Sequence, residues 1–78
     1  MMSEILKETY ITDRYRVVIR AGGYLPFLIQ TEQKASETSF PWEVNEEGWR
    51  ACITEFASTL EDADRKYDQQ IADERRWH

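Results

Sequence analysis

Apolar and polar side chains alternate along the first third of the chain. In RYRVVIR, Tyr15, Val17 and Ile19 alternate with Arg14, Arg16 and Arg20, and only Val18 breaks the rhythm. A period of two is that of a strand with one buried face. YLPFLIQ follows after AGG, so residues 14–20 and 24–30 are expected to form a hairpin closed at the glycines. Burial selects the loop. A two-residue Gly22-Gly23 loop would set Arg20 opposite Leu25 and Arg16 opposite Ile29. A three-residue Ala21-Gly22-Gly23 loop pairs Ile19 with Leu25, Val17 with Phe27 and Tyr15 with Ile29, which makes one face wholly apolar. Gly23 would then take the left-handed conformation before the second strand. The opposite face, with Arg16, Val18, Arg20, Tyr24, Pro26, Leu28 and Gln30, is half polar and is expected to be solvated. Pro26 lacks an N–H, which favours an edge position for its strand or a non-bonded place in the ladder. EILKETYIT reads as a further strand paired with RYRVVIR.

The pattern changes after residue 33. KASETSFPWEV reads as a connection over residues 34–45, with a turn or short strand around Phe40-Pro41-Trp42. Asn45 followed by Glu46 and Glu47 has the form of a helix N-terminus, through the cap bond and the dipole. From there Ile53, Phe56, Leu60, Ala63, Tyr67 and Ile71 all fall within about 40° of Trp49 at ~100° per residue. One helix is therefore expected over residues 46–77. Ser58-Thr59 ahead of Glu61-Asp62 offers the alternative of a break and a second cap there. Unbroken, that helix would be roughly 48 Å long, against about 26 Å for the strands. Its end beyond Lys66 should overhang the sheet and leave Tyr67, Ile71 and Trp77 without a partner in the same chain.

The expected fold is thus α+β: a small antiparallel sheet of three or four strands, packed by one long C-terminal helix from about residue 46, in a single small domain of 78 residues. A chain this short buries a limited core, so a partner or a second copy is an expected source of added stability.

Charge adds to this outline. The formal net charge is −5, and the acidic residues concentrate in the middle: residues 35–64 hold eight acidic side chains against one basic, Arg50. Binding of nucleic acid phosphates needs Lys and Arg, so nucleic acid is not the expected partner. The remaining case for it is Arg14, Arg16 and Arg20 on one strand. An acidic band suits a basic protein surface. On the expected helix Glu47, Glu55, Glu61 and Asp62 point away from the apolar stripe, and Glu43 precedes it.

Candidate chemistry is sparse. The single histidine, His78, is the last residue, where chains usually fray, and without it no Ser/His/Asp or Cys/His set can be drawn. Cys52 is the only cysteine; it lies at the flank of the stripe and is expected to be a small core residue. Metal sites lack paired Cys or His ligands, and EDAD lacks the glycine and bidentate glutamate of a calcium loop. Glu61 and Asp64 read as a solvated helix face. No catalytic residue, metal or cofactor is expected. A lone cysteine suits a reducing compartment, no secretory leader is legible, and no apolar run approaches membrane length; the expected location is cytoplasmic.

The expectation for function is a non-enzymatic protein-binding module, an inhibitor or adaptor. It would set an acidic face of Glu43, Glu47, Glu55, Glu61 and Asp62 against a basic partner surface, one that could itself bind nucleic acid. Small acidic chains of this form include viral and mobile-element anti-defence proteins, anti-CRISPR proteins among them; the analogy is one of size and charge alone. The alternative is a structural homodimer or assembly component whose overhanging helices pair through Tyr67, Ile71 and Trp77.

Overall fold

A computed structural model describes residues 4–22, 26–35 and 48–78. Four strands, β1 (Glu4–Thr12), β2 (Tyr15–Ala21), β3 (Phe27–Lys34) and β4 (Trp49–Ala57), precede one helix, α1 (Leu60–Trp77). The sheet is antiparallel throughout, in the order β1-β2-β3-β4. The α+β class, the antiparallel sheet and the C-terminal helix are as the sequence predicts, and EILKETYIT does pair with RYRVVIR.

The β2–β3 register differs from the expected one. Ile19 faces Ile29, Val17 faces Thr31 and Ala21 faces Phe27, so the connection spans residues 22–26. The shift from the expected register is an even number of residues. An even shift leaves every side chain on its original face, so apolar patterning alone does not resist it. Charge separates the two registers: Glu32 now stands opposite Arg16, where the expected register put Leu28. Pro26 lies outside the ladder, and β3 is an interior strand between β2 and β4, not an edge. Gly22, at φ 92°, takes the left-handed conformation expected of Gly23, which lies outside the described residues.

The larger correction concerns residues 46–59. The helix begins at Leu60, and Trp49–Ala57 is a strand. A ladder irregularity between Thr31 and Glu32 of β3 sets Thr31 opposite Ile53 but Glu32 opposite Ala51, leaving Cys52 as an extra residue. One inserted residue resets the alternation. Trp49 and Phe56 therefore share the face away from α1 while Ile53 lies on the helix side, although in sequence the three have the four- and three-residue spacing of a helical stripe. Ile, Thr, Phe and Trp in this run also favour a strand. Gly48, at φ 85°, lies just before it. Thr59 is extended (φ −129°, ψ 155°) and its hydroxyl accepts the Asp62 N–H at 3.1 Å. Thr59 is thus the N-cap, with Glu61 and Asp62 in the first turn and Arg75 and Arg76 in the last, all favourable to the helix dipole. The expected connection, the Phe40-Pro41-Trp42 turn and the Asn45 cap lie outside the described residues.

Shortening the helix removes the overhang. Its 18 residues span ~27 Å, close to the strand length. Ala63 and Tyr67 of α1 enter one core with Val17, Ile19, Ile29 and Ala57, flanked by Ile11, Phe27 and Ile71. Gln70 is buried beside them: it accepts from Thr31 Oγ1 at 2.7 Å and donates to the Ile29 carbonyl at 3.2 Å and to Glu55 at 3.0 Å. The Tyr67 hydroxyl hydrogen-bonds Thr9 of β1.

The face away from α1 is buried at its centre, not solvated. Arg16, Val18, Arg20 and Glu32 are all buried there. Arg16 donates from Nε to Glu32 Oε1 at 2.8 Å, and Arg20 Nη2 lies 3.3 Å from Oε1 and 3.0 Å from Oε2. Arg16 also reaches Glu8 of β1 at 3.1 Å and lies 4.2 Å from the ring centroid of Trp49. A carboxylate with 1 % exposure is tolerable only because it is paired and hydrogen-bonded.

Candidate interaction surface

β4 is the last strand of the sheet, paired on one side with β3. Among the described residues no strand pairs with its outer side. Such an edge presents unpaired backbone donors and acceptors. Arg50, Ala51, Cys52, Ile53 and Thr54 are exposed in succession, and Phe56 follows. Ile53 keeps 43 % of its surface and Phe56 52 %, and Leu60, at the start of the helix, is exposed as well. At this end of the sheet Pro26, Phe56, Ala57, Ser58, Asp62 and Lys66 line a shallow open depression. Lys66 closes one side of it: its Nζ donates to the Phe56 carbonyl at 2.5 Å and pairs with Asp62 at 3.0 Å. The exposed edge thus carries Ile53 on the helix side and Phe56 on the other face, with the Lys66 cation at its end.

The acidic residues do not form one helix face. Glu55 lies on β4, half-buried, and accepts from Gln70 of the helix above it. Asp62 is held by Arg65 at 2.5 Å as well as by Lys66, and these two cations keep its carboxyl below the ordinary aspartate range. Glu61 is exposed. Glu43 and Glu47 lie outside the described residues. The self-association set is divided too. Tyr67 is core and Ile71 packs against it; Trp77 alone stands out, with 81 % exposure.

The arginines expected to be available for nucleic acid are separated by burial. Arg16 and Arg20 are engaged with Glu32 inside the protein, and Arg14 is exposed. Cys52 is exposed on the edge strand, not a core residue, because the inserted position lies outside the helical stripe assumed for it. His78 pairs with Glu74 at 3.0 Å and stacks near Tyr15. Among the described residues no three His, Cys, Asp or Glu side chains cluster in a way that could hold a metal ion, and no helix is long and apolar enough to cross a membrane.

Sequence reasoning missed the edge made by Arg50, Ile53 and Phe56. Its signal was the β-branched and aromatic content of WRACITEF, masked by the inserted Cys52. No family model, curated protein or solved structure matches this chain.

Proposed function

We propose that the chain is a non-enzymatic protein-binding module, an inhibitor or adaptor, whose contact surface is the outer edge of β4 together with Ile53, Phe56 and Leu60. The observation that carries this is the run of exposed residues along a nine-residue edge strand. Strand addition to such an edge supplies main-chain hydrogen bonds, and neighbouring side chains supply selectivity. An anti-defence inhibitor, the instance that size and charge suggest, acts by occupying a surface of its target, and an open edge is one means of doing so.

This reading moves the contact away from a purely acidic face, and the two versions differ in salt dependence. Contact through an acidic face weakens steeply as salt rises, whereas strand pairing with apolar contacts persists. The test is a pull-down from the native host's lysate, at low and high salt, with wild-type and Ile53→Lys baits. The edge reading expects a stoichiometric protein that survives high salt on the wild-type bait and is missing from Ile53→Lys. A partner held equally by both baits would overturn the edge reading. A partner released from the wild type by salt would return the contact to the acidic residues.

A further inference from the structure

We propose that β4 pairs with β4 of a second copy of this chain, antiparallel about a two-fold axis between Cys52 and Ile53, to give one continuous eight-stranded sheet. The proposal rests on the reading of β4 as the contact edge and names the partner that the edge itself fits.

The register follows from the inserted residue. Glu55 and Ile53 lie opposite Ile29 and Thr31, and Arg50 lies opposite Gln33, so all three share the face that carries α1. Phe56, Thr54, Ala51 and Trp49 lie opposite Leu28, Gln30, Glu32 and Lys34, on the other face. Residues directly opposite in an antiparallel pair point to the same face. A two-fold at Ile53 itself would set Arg50 against Phe56 and Ala51 against Glu55, in conflict with both faces. A two-fold between Ile53 and Thr54 would oppose those two, again across faces. The axis between Cys52 and Ile53 matches faces along the strand: Trp49 meets the second copy's Phe56, Arg50 meets Glu55, Ala51 meets Thr54 and Cys52 meets Ile53. The insertion at Cys52 is what makes the two halves of β4 equivalent.

Chemistry agrees with geometry in that register. Arg50 is exposed and makes no ion pair among the described residues, while one Glu55 oxygen is taken by Gln70 and the other can accept from a guanidinium. The two-fold creates the Arg50–Glu55 pair twice. Ile53 of each copy, exposed in the single chain, is covered by the other strand. A closed two-fold consumes both open edges, so growth stops at the dimer as long as β1 stays guarded. One strand pair makes a small interface, so association on the order of 10 µM is expected.

The test is sedimentation velocity on the full chain from about 5 to about 500 µM, a range that brackets that constant. The wild type should move from monomer to dimer. Arg50→Glu places like charges opposite each other twice and should weaken association at least about tenfold. The double variant Arg50→Glu/Glu55→Arg restores opposite charges and should recover most of the loss. A short bismaleimide should link wild-type chains through Cys52, whose counterparts lie about 6 Å apart between Cα atoms across the axis, and should not link Cys52→Ser. The cross-link keeps the proposal open to refutation where Glu55→Arg disturbs folding through Gln70. A wild type that stays monomeric across the range, association unchanged by Arg50→Glu, or a dimer that Cys52 does not link would overturn self-pairing. None of these results touches binding of a different protein at the same edge, which stands or falls on the Ile53→Lys pull-down.

Discussion

The two edges of this sheet have the same length and opposite character. β1 and β4 are each nine residues long. β1 carries two ladder irregularities, at Ile5/Lys7 and Tyr10/Thr12, and its side chains are tied into the fold on both faces. Lys7 reaches Asp64 of the helix at 2.7 Å, Thr9 meets Tyr67, and Glu8 meets Arg16 at 3.1 Å. Charges and bulges are the devices by which proteins prevent edge pairing. β4 has one irregularity, and its exposed stretch offers Ile53 and Phe56 with a single cation, Arg50. β1 exposes Leu6 and Tyr10 as fully as β4 exposes Ile53 and Phe56, but among the described residues Lys7 and Glu8 of β1 are held in ion pairs and Arg50 of β4 is in none. The lesson is that exposure alone does not mark a contact edge; what separates the two is how many of the outward groups the fold has already used.

The strongest perturbation removes the rows between the edges. Glu32→Ala removes the buried carboxylate that Arg16 and Arg20 share and is expected to cost about 3–5 kcal/mol. For a domain of this size that is most of the stability, so both edges are lost together; urea unfolding measures it. A second change separates the edges. Ile53→Lys should abolish association at β4 while shifting the thermal midpoint little, because the side chain is already exposed, whereas Leu6→Lys on β1 should leave association intact. Sedimentation and thermal melts on the two variants decide it, and equal loss from both would mean the edges do not differ. Thr59→Ala tests the join between β4 and the helix. It removes the cap bond and should cost ~1 kcal/mol, where a helix running unbroken from residue 46 would hardly respond.

The smallest effects are those of pH, and they have opposite signs at the two edges. Asp62, beside β4, has its carboxyl lowered from 3.8 by hydrogen bonds from Lys66 and Arg65. Its contribution is present above pH 3.8 and is lost as pH falls through the lower folded value. Lys7, on β1, is raised from 10.5 by its hydrogen bond to Asp64. Its contribution is present below pH 10.5 and is lost as pH rises through the higher folded value. Lys7 is exposed and Asp62 no more than half-buried, so the changes should be slight. Asp62→Asn should flatten the acid limb of a thermal-midpoint profile, and Lys7→Met the alkaline limb.

What the sequence made legible, and what it hid, follows from period and parity. The alternation of Tyr15, Val17 and Ile19 marks the helix-facing side of β2, and EILKETYIT lies beside it, but the side expected to be solvated is buried as well. The β2–β3 register was not recoverable from apolar pattern, since an even shift conserves faces; the Arg16–Glu32–Arg20 cluster contained the missing information. Ala63, Tyr67 and Ile71 were correctly grouped as one stripe, because they do lie on one helix. Joining Trp49, Ile53 and Phe56 to it is an error: they have helical spacing but lie on a strand, Trp49 and Phe56 on one face and Ile53 on the other. From that single error came the overlong helix, the overhang, the outward placement of Glu55 and the burial assumed for Cys52. The Thr59 cap was legible in STLED and was the point at which local sequence disagreed with the stripe.

The most direct test of the contact edge is residue-resolved amide hydrogen exchange on the chain alone and with its partner bound, whether a captured protein or, by concentration, a second copy. Slowed exchange concentrated between Arg50 and Phe56, with β1 unchanged, is the predicted result. Protection that falls instead on the outer helix around Glu61, Arg65 and Asp68, or along β1, would contradict the assignment of β4 as the surface this protein uses.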